Sequence, residues 1–318
     1  MSEPSYPLHL QRLVEEYLEG LDFGADRRAA RLVEAMRYSL LAGGKRIRPV
    51  LTLAVVESRG AEPATVLPTA AALELIHTYS LIHDDLPSID DDDLRRGRPT
   101  CHVVYGEDVA ILAGDGLFSE AFRLVLDHQE ADRGTLLTVV AEIARATGVG
   151  GMVGGQFMDV AGLAADHDDL RAMHALKTGR LIEAAIVAGA LLSGAGGDRV
   201  AAARTGAAAG DAAPAKKDGG DAVSEEIAAY RAFATELGVL FQIVDDILDE
   251  TGDAAVLGKT AGKDRTQEKA TYVALFGLDE ARRLAEETHG RALDALRALP
   301  GDTAVLTQIA GYILHRKN

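Results

Sequence analysis

Apolar residues recur every three or four positions along almost the whole chain, and no segment alternates apolar and polar residues over a useful strand length. Near the start Leu10, Leu13, Val14, Tyr17 and Leu21 keep the helical spacing; near the end Leu284, Leu293, Leu296 and Leu299 keep it more loosely. Alanine is abundant, aromatics are only 5% and tryptophan is absent, which suits close helix packing. The spacing predicts an all-α fold. With 318 residues, 47% apolar and 26% charged, the chain can bury a large core unaided. A disordered chain, a collagen-like fibre and a small disulfide scaffold are thereby excluded. The single cysteine, Cys101, excludes an intramolecular disulfide, suits a reducing cytosol and reads as structural.

Breakers divide the helices at Gly43-Gly44, Pro63, Pro68, Pro87, Gly97 with Pro99, Gly148 to Gly155, Gly252, Gly277 and Pro300. The run from about 193 to 222 is rich in Ala, Gly and Asp with almost no large apolar residue. It reads as a flexible surface insertion in a single domain spanning 1–318, and Lys216-Lys217 within it as solvated. The first twenty residues lack a basic segment followed by an apolar core, and the apolar stretch Leu181 to Leu192 is too short to span a bilayer. A cytoplasmic protein without stable membrane insertion is expected. The net charge of −16 repels a nucleic-acid backbone, so no nucleic-acid partner is expected. An anionic substrate would need local basic residues or divalent cations.

Two acidic clusters carry the chemistry. In HTYSLIHDDLPSIDDDDLRRGRPT, a helix through Leu73, Ile76 and Ser80 should end near Asp85, because Pro87 disfavours helical geometry at Leu86. Asp84 and Asp85 then sit at the helix C-terminus, where the macrodipole disfavours negative charge. LFQIVDDILDETGD repeats the anomaly: Asp245, Asp246 and Asp249 occupy the last turns of a helix that Gly252 should end, with Asp245 and Asp249 on one face. One such run is most simply a solvated cap. Two, each at the unfavourable end of an apolar helix, point to a divalent cation, and oxygen-only donors point to Mg²⁺ shared with phosphate.

These residues resemble the trans-prenyltransferases, the head-to-tail isoprenyl diphosphate synthases. DDLPSID is similar to that family's first aspartate-rich motif in the form with two inserted residues, and DDILD to its second. GGKRIRP, IHTYSLIHDD, RRGRPT, GGQFMD, HALKTG, LFQ and LGKTAGKD follow in the family's order, from about Leu32 to the terminal YILHRKN. The resemblance implies a bundle of about ten or more helices around a central substrate cavity, working as a homodimer. It implies three Mg²⁺ ions, with Mn²⁺ as a substitute, held by Asp84, Asp90 and secondarily Asp85 on one side, and by Asp245 with Asp249 on the other. Lys45, Arg48, His77 and Arg96 match the isopentenyl diphosphate site. Arg95, Lys177, Lys259 and Lys269 match contacts to the allylic diphosphate, and Thr178 and Gln242 match positions facing the reacting carbons.

The resemblance also implies the product. On a helical wheel, at about 100° per residue, Ser80 lies almost directly below Asp84 and Tyr79 lies well off that face. The family nevertheless places a chain-length floor at an aromatic five residues before the first Asp, which is Tyr79. A farnesyl (C15) product is expected, with geranylgeranyl (C20) second. A class I terpene cyclase would carry an Asn/Ser/Glu triad in place of DDILD, and a silent regulatory subunit would have lost aspartates; neither pattern is present.

Overall fold

A computed structural model describes residues 6–24, 26–164, 166–194, 218–251 and 271–316, with only the backbone of 218–224. The chain forms α1 (Leu8–Glu19), α2 (Ala30–Leu40), α3 (Ile47–Ser58), α4 (Leu67–Asp84), α5 (Cys101–Tyr105), α6 (Glu107–His128), α7 (Arg133–Thr147), α8 (Met152–Val160) and α9 (His167–His174). After a π-helical turn at Ala175–Gly179 come α10 (Arg180–Leu192), α11 (Asp218–Thr251), α12 (Tyr272–Phe276), α13 (Leu278–Leu296) and α14 (Ala304–His315). The only strands among the described residues are Leu94–Arg95 and Arg98–Pro99, a two-rung antiparallel hairpin turned by Arg96 and Gly97. The all-α expectation holds.

Helix α4 is central: apolar on nearly every side, it packs on α6 along one flank and on α3 along another, and eleven of its residues are buried. α10, also buried almost throughout, packs against α3, α7 and α11, and α11 against α13. Periodicity chose the faces correctly at the start of the chain, where Leu10, Val14 and Leu18 are buried and Leu13, Tyr17 and Leu21 pack partly against them.

Two expectations change. The glycine run Gly148 to Gly155 is not one breaker: α8 begins at Met152, so Gly154 and Gly155 are helical. The expected insertion overlaps α11, which already includes Asp218 to Ala222; 195–217 lie outside the described residues. Two stretches, Arg133–Val160 (α7 followed by α8) and Glu225–Thr251 (within α11), have the length and apolar composition of a membrane span. Both pack within the bundle, α7 on α10 and α11 on α10 and α13.

Candidate active site

The first acid cluster forms where α4 stops. Asp84 is its last residue, and the chain folds back at once: the Asp90 N–H donates to the Asp84 carbonyl at 2.9 Å and the Asp92 N–H to the Asp85 carbonyl at 3.1 Å. Pro87 and Ser88 are taken up in this turn, which returns the later aspartates to the helix end. Asp84 feels the result, its carboxyl being pushed up to about 6, chiefly by burial, with Lys177 opposing and Asp90 and Asp85 adding to the rise. Asp85 is engaged differently. Both of its oxygens accept from Arg95 Nε, at 2.7 and 2.9 Å, and the carboxylate is buried. Asp85 and Arg95, expected as metal ligand and diphosphate contact, are therefore bonded to each other.

Across the bundle the π turn carries Lys177 and Thr178. Gly155 of α8 packs directly on this turn: a Cβ there would stand 2.2 Å from the Lys177 nitrogen, so only glycine lets α8 approach this closely. Lys177 Nζ donates to Asp159 of GGQFMD at 2.6 Å, and its charge reaches Asp84. Thr178 donates to Gln242 Oε1 at 3.3 Å, and Gln242 Nε2 donates to Asp246 at 2.8 Å. On the adjoining face of α11, Asp245 accepts from Arg316 at 3.0 Å. Asp249 lies one turn further on, and Lys259 and Lys269 lie outside the described residues.

The third wall is basic. The Gly43-Gly44 turn (φ +80° and +128°) leads into Arg46, held at φ 53° just before α3. Buried Arg46 binds Glu15 at 2.8 Å, Glu74 at 2.6 Å and the Leu40 carbonyl at 2.8 Å, which pins the loop from inside. Lys45 and Arg48 flank it. Burial and the nearby Arg316 bring Lys45 down to about 8, against the pull of Asp245; burial brings Arg48 down to about 10. Arg48 Nε is buried with no hydrogen-bond partner in the structure. His77 is held well below its ordinary value by burial and then by Arg48, Arg96, Arg95 and Arg46, so its imidazole is neutral. Arg96 turns through φ 54° and donates to the Gly43 carbonyl. Desolvated cations gathered this way are a receptor for an anion.

Ser80 shares the α4 face of Asp84 and His77, and its hydroxyl bonds back to the His77 carbonyl at 2.9 Å. Tyr79 packs against α6, edge-to-face on Phe118 at 5.0 Å, with Phe118 on Phe122 at 5.2 Å.

The polyprenyl synthetase family model matches residues 29–212 and 204–299. The chain belongs to the polyprenyl synthetase family. The two matched stretches meet inside the Ala/Gly/Asp-rich segment, the one part that departs from the motif order. This polyprenyl synthetase is 44% identical over 301 residues to the heterodimeric geranylgeranyl pyrophosphate synthase large subunit 1 of Arabidopsis thaliana, covering 92% of this chain and 74% of that one. It is 41% identical over 299 residues to the geranylgeranyl pyrophosphate synthase of Catharanthus roseus, covering 92% and 76%. Among solved structures, the Helicobacter pylori geranyltransferase complexed with magnesium and isoprenyl diphosphate superposes with a TM-score of 0.76 at 28% identity, over 98% and 96% of the chains. The FPP/GFPP synthase of Zymomonas mobilis gives 0.74 at 32% identity, over 96% and 95%. The expected C15 product thus meets curated relatives named for a C20 product.

The donors present suit Mg²⁺. Among the described residues no three Asp, Glu, His or Cys side chains stand close enough to enclose an ion by themselves. Mg²⁺ typically takes one or two carboxylates and completes its shell with phosphate oxygens and water. Asp84 at the end of α4, Asp90 in the turn that follows it, and Asp245 on α11 are the carboxylates that fit that use. Sequence reasoning passed over Asp159, Glu74 and Arg316, and named Asp246 in the second acidic cluster without giving it a role. Asp159 and Arg316 stand inside quoted motifs, but only their tertiary partners show what they do.

Proposed function

We propose that this polyprenyl synthetase condenses isopentenyl diphosphate with allylic diphosphates as far as geranylgeranyl diphosphate. The carrying observation is that Lys177 on the π turn acts electrostatically on Asp84 at the end of α4, while Asp245 on α11 acts on Lys45 and Arg48. An acid-lined and a base-lined anion site therefore face each other. We assign the allylic diphosphate to the first and isopentenyl diphosphate to the second. Bound Mg²⁺, held by Asp84, Asp90 and Asp245, would neutralise charge developing on the leaving diphosphate. Lys177 adds a cation at the same oxygens, and preorganised groups of this kind are worth about 3–4 kcal/mol each. Lys45 and Arg48 orient the second diphosphate. The neutral imidazole of His77 can donate a hydrogen bond there without adding charge. No side chain is assigned as general base; the departing diphosphate takes the proton.

The product assignment rests on the C20 names of the relatives and on α4. Ser80, a small residue, lies beneath Asp84, whereas the Tyr79 ring is engaged with α6. We read this as a path for the tail along Ser80 that carries no aromatic floor at that residue. A second copy of the chain is the expected partner, covering exposed Ile111, Leu112 and Leu126 on α6. The test is incubation with isopentenyl diphosphate, dimethylallyl diphosphate and Mg²⁺, with chain lengths read by mass spectrometry. A dominant C20 diphosphate that vanishes with EDTA supports the proposal. A dominant C15 product overturns the chain-length reading, and no elongation by folded protein overturns the function.

A further inference from the structure

Asp246 is the carboxylate of DDILD that lies off the face shared by Asp245 and Asp249, and it is buried. Its two oxygens are both occupied. The main-chain N–H of Tyr272, at the start of α12, donates to Oδ2 at 2.8 Å, and Gln242 Nε2, one helical turn earlier, donates to Oδ1 at 2.8 Å. The far end of the Gln242 amide, Oε1, accepts from the Thr178 hydroxyl at 3.3 Å.

This chain of bonds has a direction. An amide side chain can present either its oxygen or its nitrogen to a neighbour, and a hydroxyl can donate or accept. An ionised carboxylate can only accept. Asp246 therefore forces the nitrogen of Gln242 inward and its oxygen towards Thr178. The oxygen in turn forces Thr178 to donate to it. The hydroxyl proton is then directed away from the cavity, and the remaining Thr178 lone pairs are free to point into it. An electron-poor allylic carbon is stabilised by a lone pair and destabilised by a proton in that place. We infer that Asp246 is a positioning residue: through Gln242 it sets the polarity of Thr178, so that an oxygen lone pair meets the developing allylic cation. The inference rests on the functional reading above, in which Thr178 borders the reacting carbons.

Asp246→Asn is nearly isosteric and reverses the direction. The introduced amide keeps the Tyr272 bond through its oxygen and offers N–H to Gln242, whose own amide turns over and donates to Thr178; the hydroxyl proton is then released towards the cavity. Steady-state kinetics at pH 8.5 should show kcat reduced by about tenfold or more, with KM for both diphosphates and the Mg²⁺ requirement within about twofold of wild type. A residue that merely supports the fold would not separate kcat from KM in this way. Gln242→Met, which removes the relay without touching Asp246, should lose kcat to a similar degree, and it keeps the test standing if the Asp246→Asn variant does not fold. In a Thr178→Val background, Asp246→Asn should cost little more, because no hydroxyl remains to orient. Unchanged kcat in folded Asp246→Asn or in Gln242→Met overturns the inference. So does a raised Mg²⁺ requirement in Asp246→Asn at unchanged kcat, which would make Asp246 a metal ligand. Wild type assayed alongside separates the two failures: no elongation by wild type removes the functional reading, whereas normal wild-type turnover with unaffected variants removes only the role of Asp246.

Discussion

Gly155→Ala tests how strongly the π turn is fixed by its neighbour. The added Cβ would lie 2.2 Å from the Lys177 nitrogen and 2.6 Å from its Cα, both main-chain atoms that cannot rotate aside. Ordinary contact of a Cβ with such atoms begins near 3.4 Å, so α8 and the π turn must separate by about 1 Å. Overpacking of this kind costs about 1–3 kcal/mol of stability, and each kcal/mol lowers Tm by about 2–4 °C in a large domain. The kinetic effect should be larger than the thermal one. Lys177 and Thr178 move together with the turn, and a displacement of about 1 Å in a positioned group costs about a hundredfold in rate. The assay pairs differential scanning calorimetry with kcat. The expected result is folded protein, Tm lower by a few degrees and kcat down about a hundredfold. A folded variant with kcat within about threefold of wild type would refute the claim that glycine at 155 exists for the π turn.

Three further outcomes are expected. Ser80→Phe should shorten the product from C20 towards C15 by filling the space beneath Asp84, whereas Tyr79→Ala should leave C20 dominant; mass spectrometry of the products showing the opposite pattern would move the floor to Tyr79. Arg46→Met should lower stability by about 3–5 kcal/mol in urea denaturation, since Glu74 at 2% exposure would be left charged and unpaired; a change under about 1 kcal/mol would contradict the buried network. The pH dependence of stability follows from Asp246, which burial pushes up to about 7. Between its unfolded value, 3.8, and about 7 the folded chain holds a proton that the unfolded chain lacks, so stability falls as pH rises through this window and is level above it. Metal-free wild type should therefore melt lower at pH 8 than at pH 5 by more than Asp246→Asn does, and parallel melting curves would count against the assignment.

Much of the fold and part of the site could be read from residue types alone. The helices were legible because apolar spacing is a local property, and α4 stops where Pro87 said it should. Asp84 and Asp245 stood out because acids at a helix C-terminus are electrostatically anomalous without something cationic to bind. What escaped depends on groups distant in the chain. The Gly148 to Gly155 run reads as a breaker if glycine is taken only for conformational freedom. Gly155 is instead a spacer that lets α8 meet Lys177, 22 residues later. Asp246 falls off the face shared by Asp245 and Asp249, and its partner, the Tyr272 N–H, is 26 residues away. Arg46 has no reading of its own within GGKRIRP, and its partners are Glu15 and Glu74, which no motif contains. Its neighbours Lys45 and Arg48 do line the basic wall.

Under the proposed function, the acidic chain handles two anions by treating its cations in two ways. On the acid-lined side Arg95 is bonded to Asp85, Lys177 to Asp159 and Arg316 to Asp245. Each of these three positive charges is already matched by a carboxylate, and with Asp84 and Asp90 nearby the described residues of that side repel a diphosphate. On the other side neither Lys45 nor Arg48 has an ion-pair partner among the described residues, and their lowered pKa values express lost water, with lesser repulsion from Arg316 on Lys45 and from Arg96 on Arg48. An anion arriving there relieves both. The two sites must therefore differ in their dependence on divalent cations. Titration of the protein with inorganic pyrophosphate in EDTA should fill the basic wall alone, with a stoichiometry near one per chain. Arg48→Ala should remove that binding, because the buried guanidinium is the strongest unpaired donor at the site, while Lys177→Ala should leave it intact. Equal loss in both variants would mean that the basic wall is not a separate receptor, and that the sign of the local field does not sort the two diphosphates.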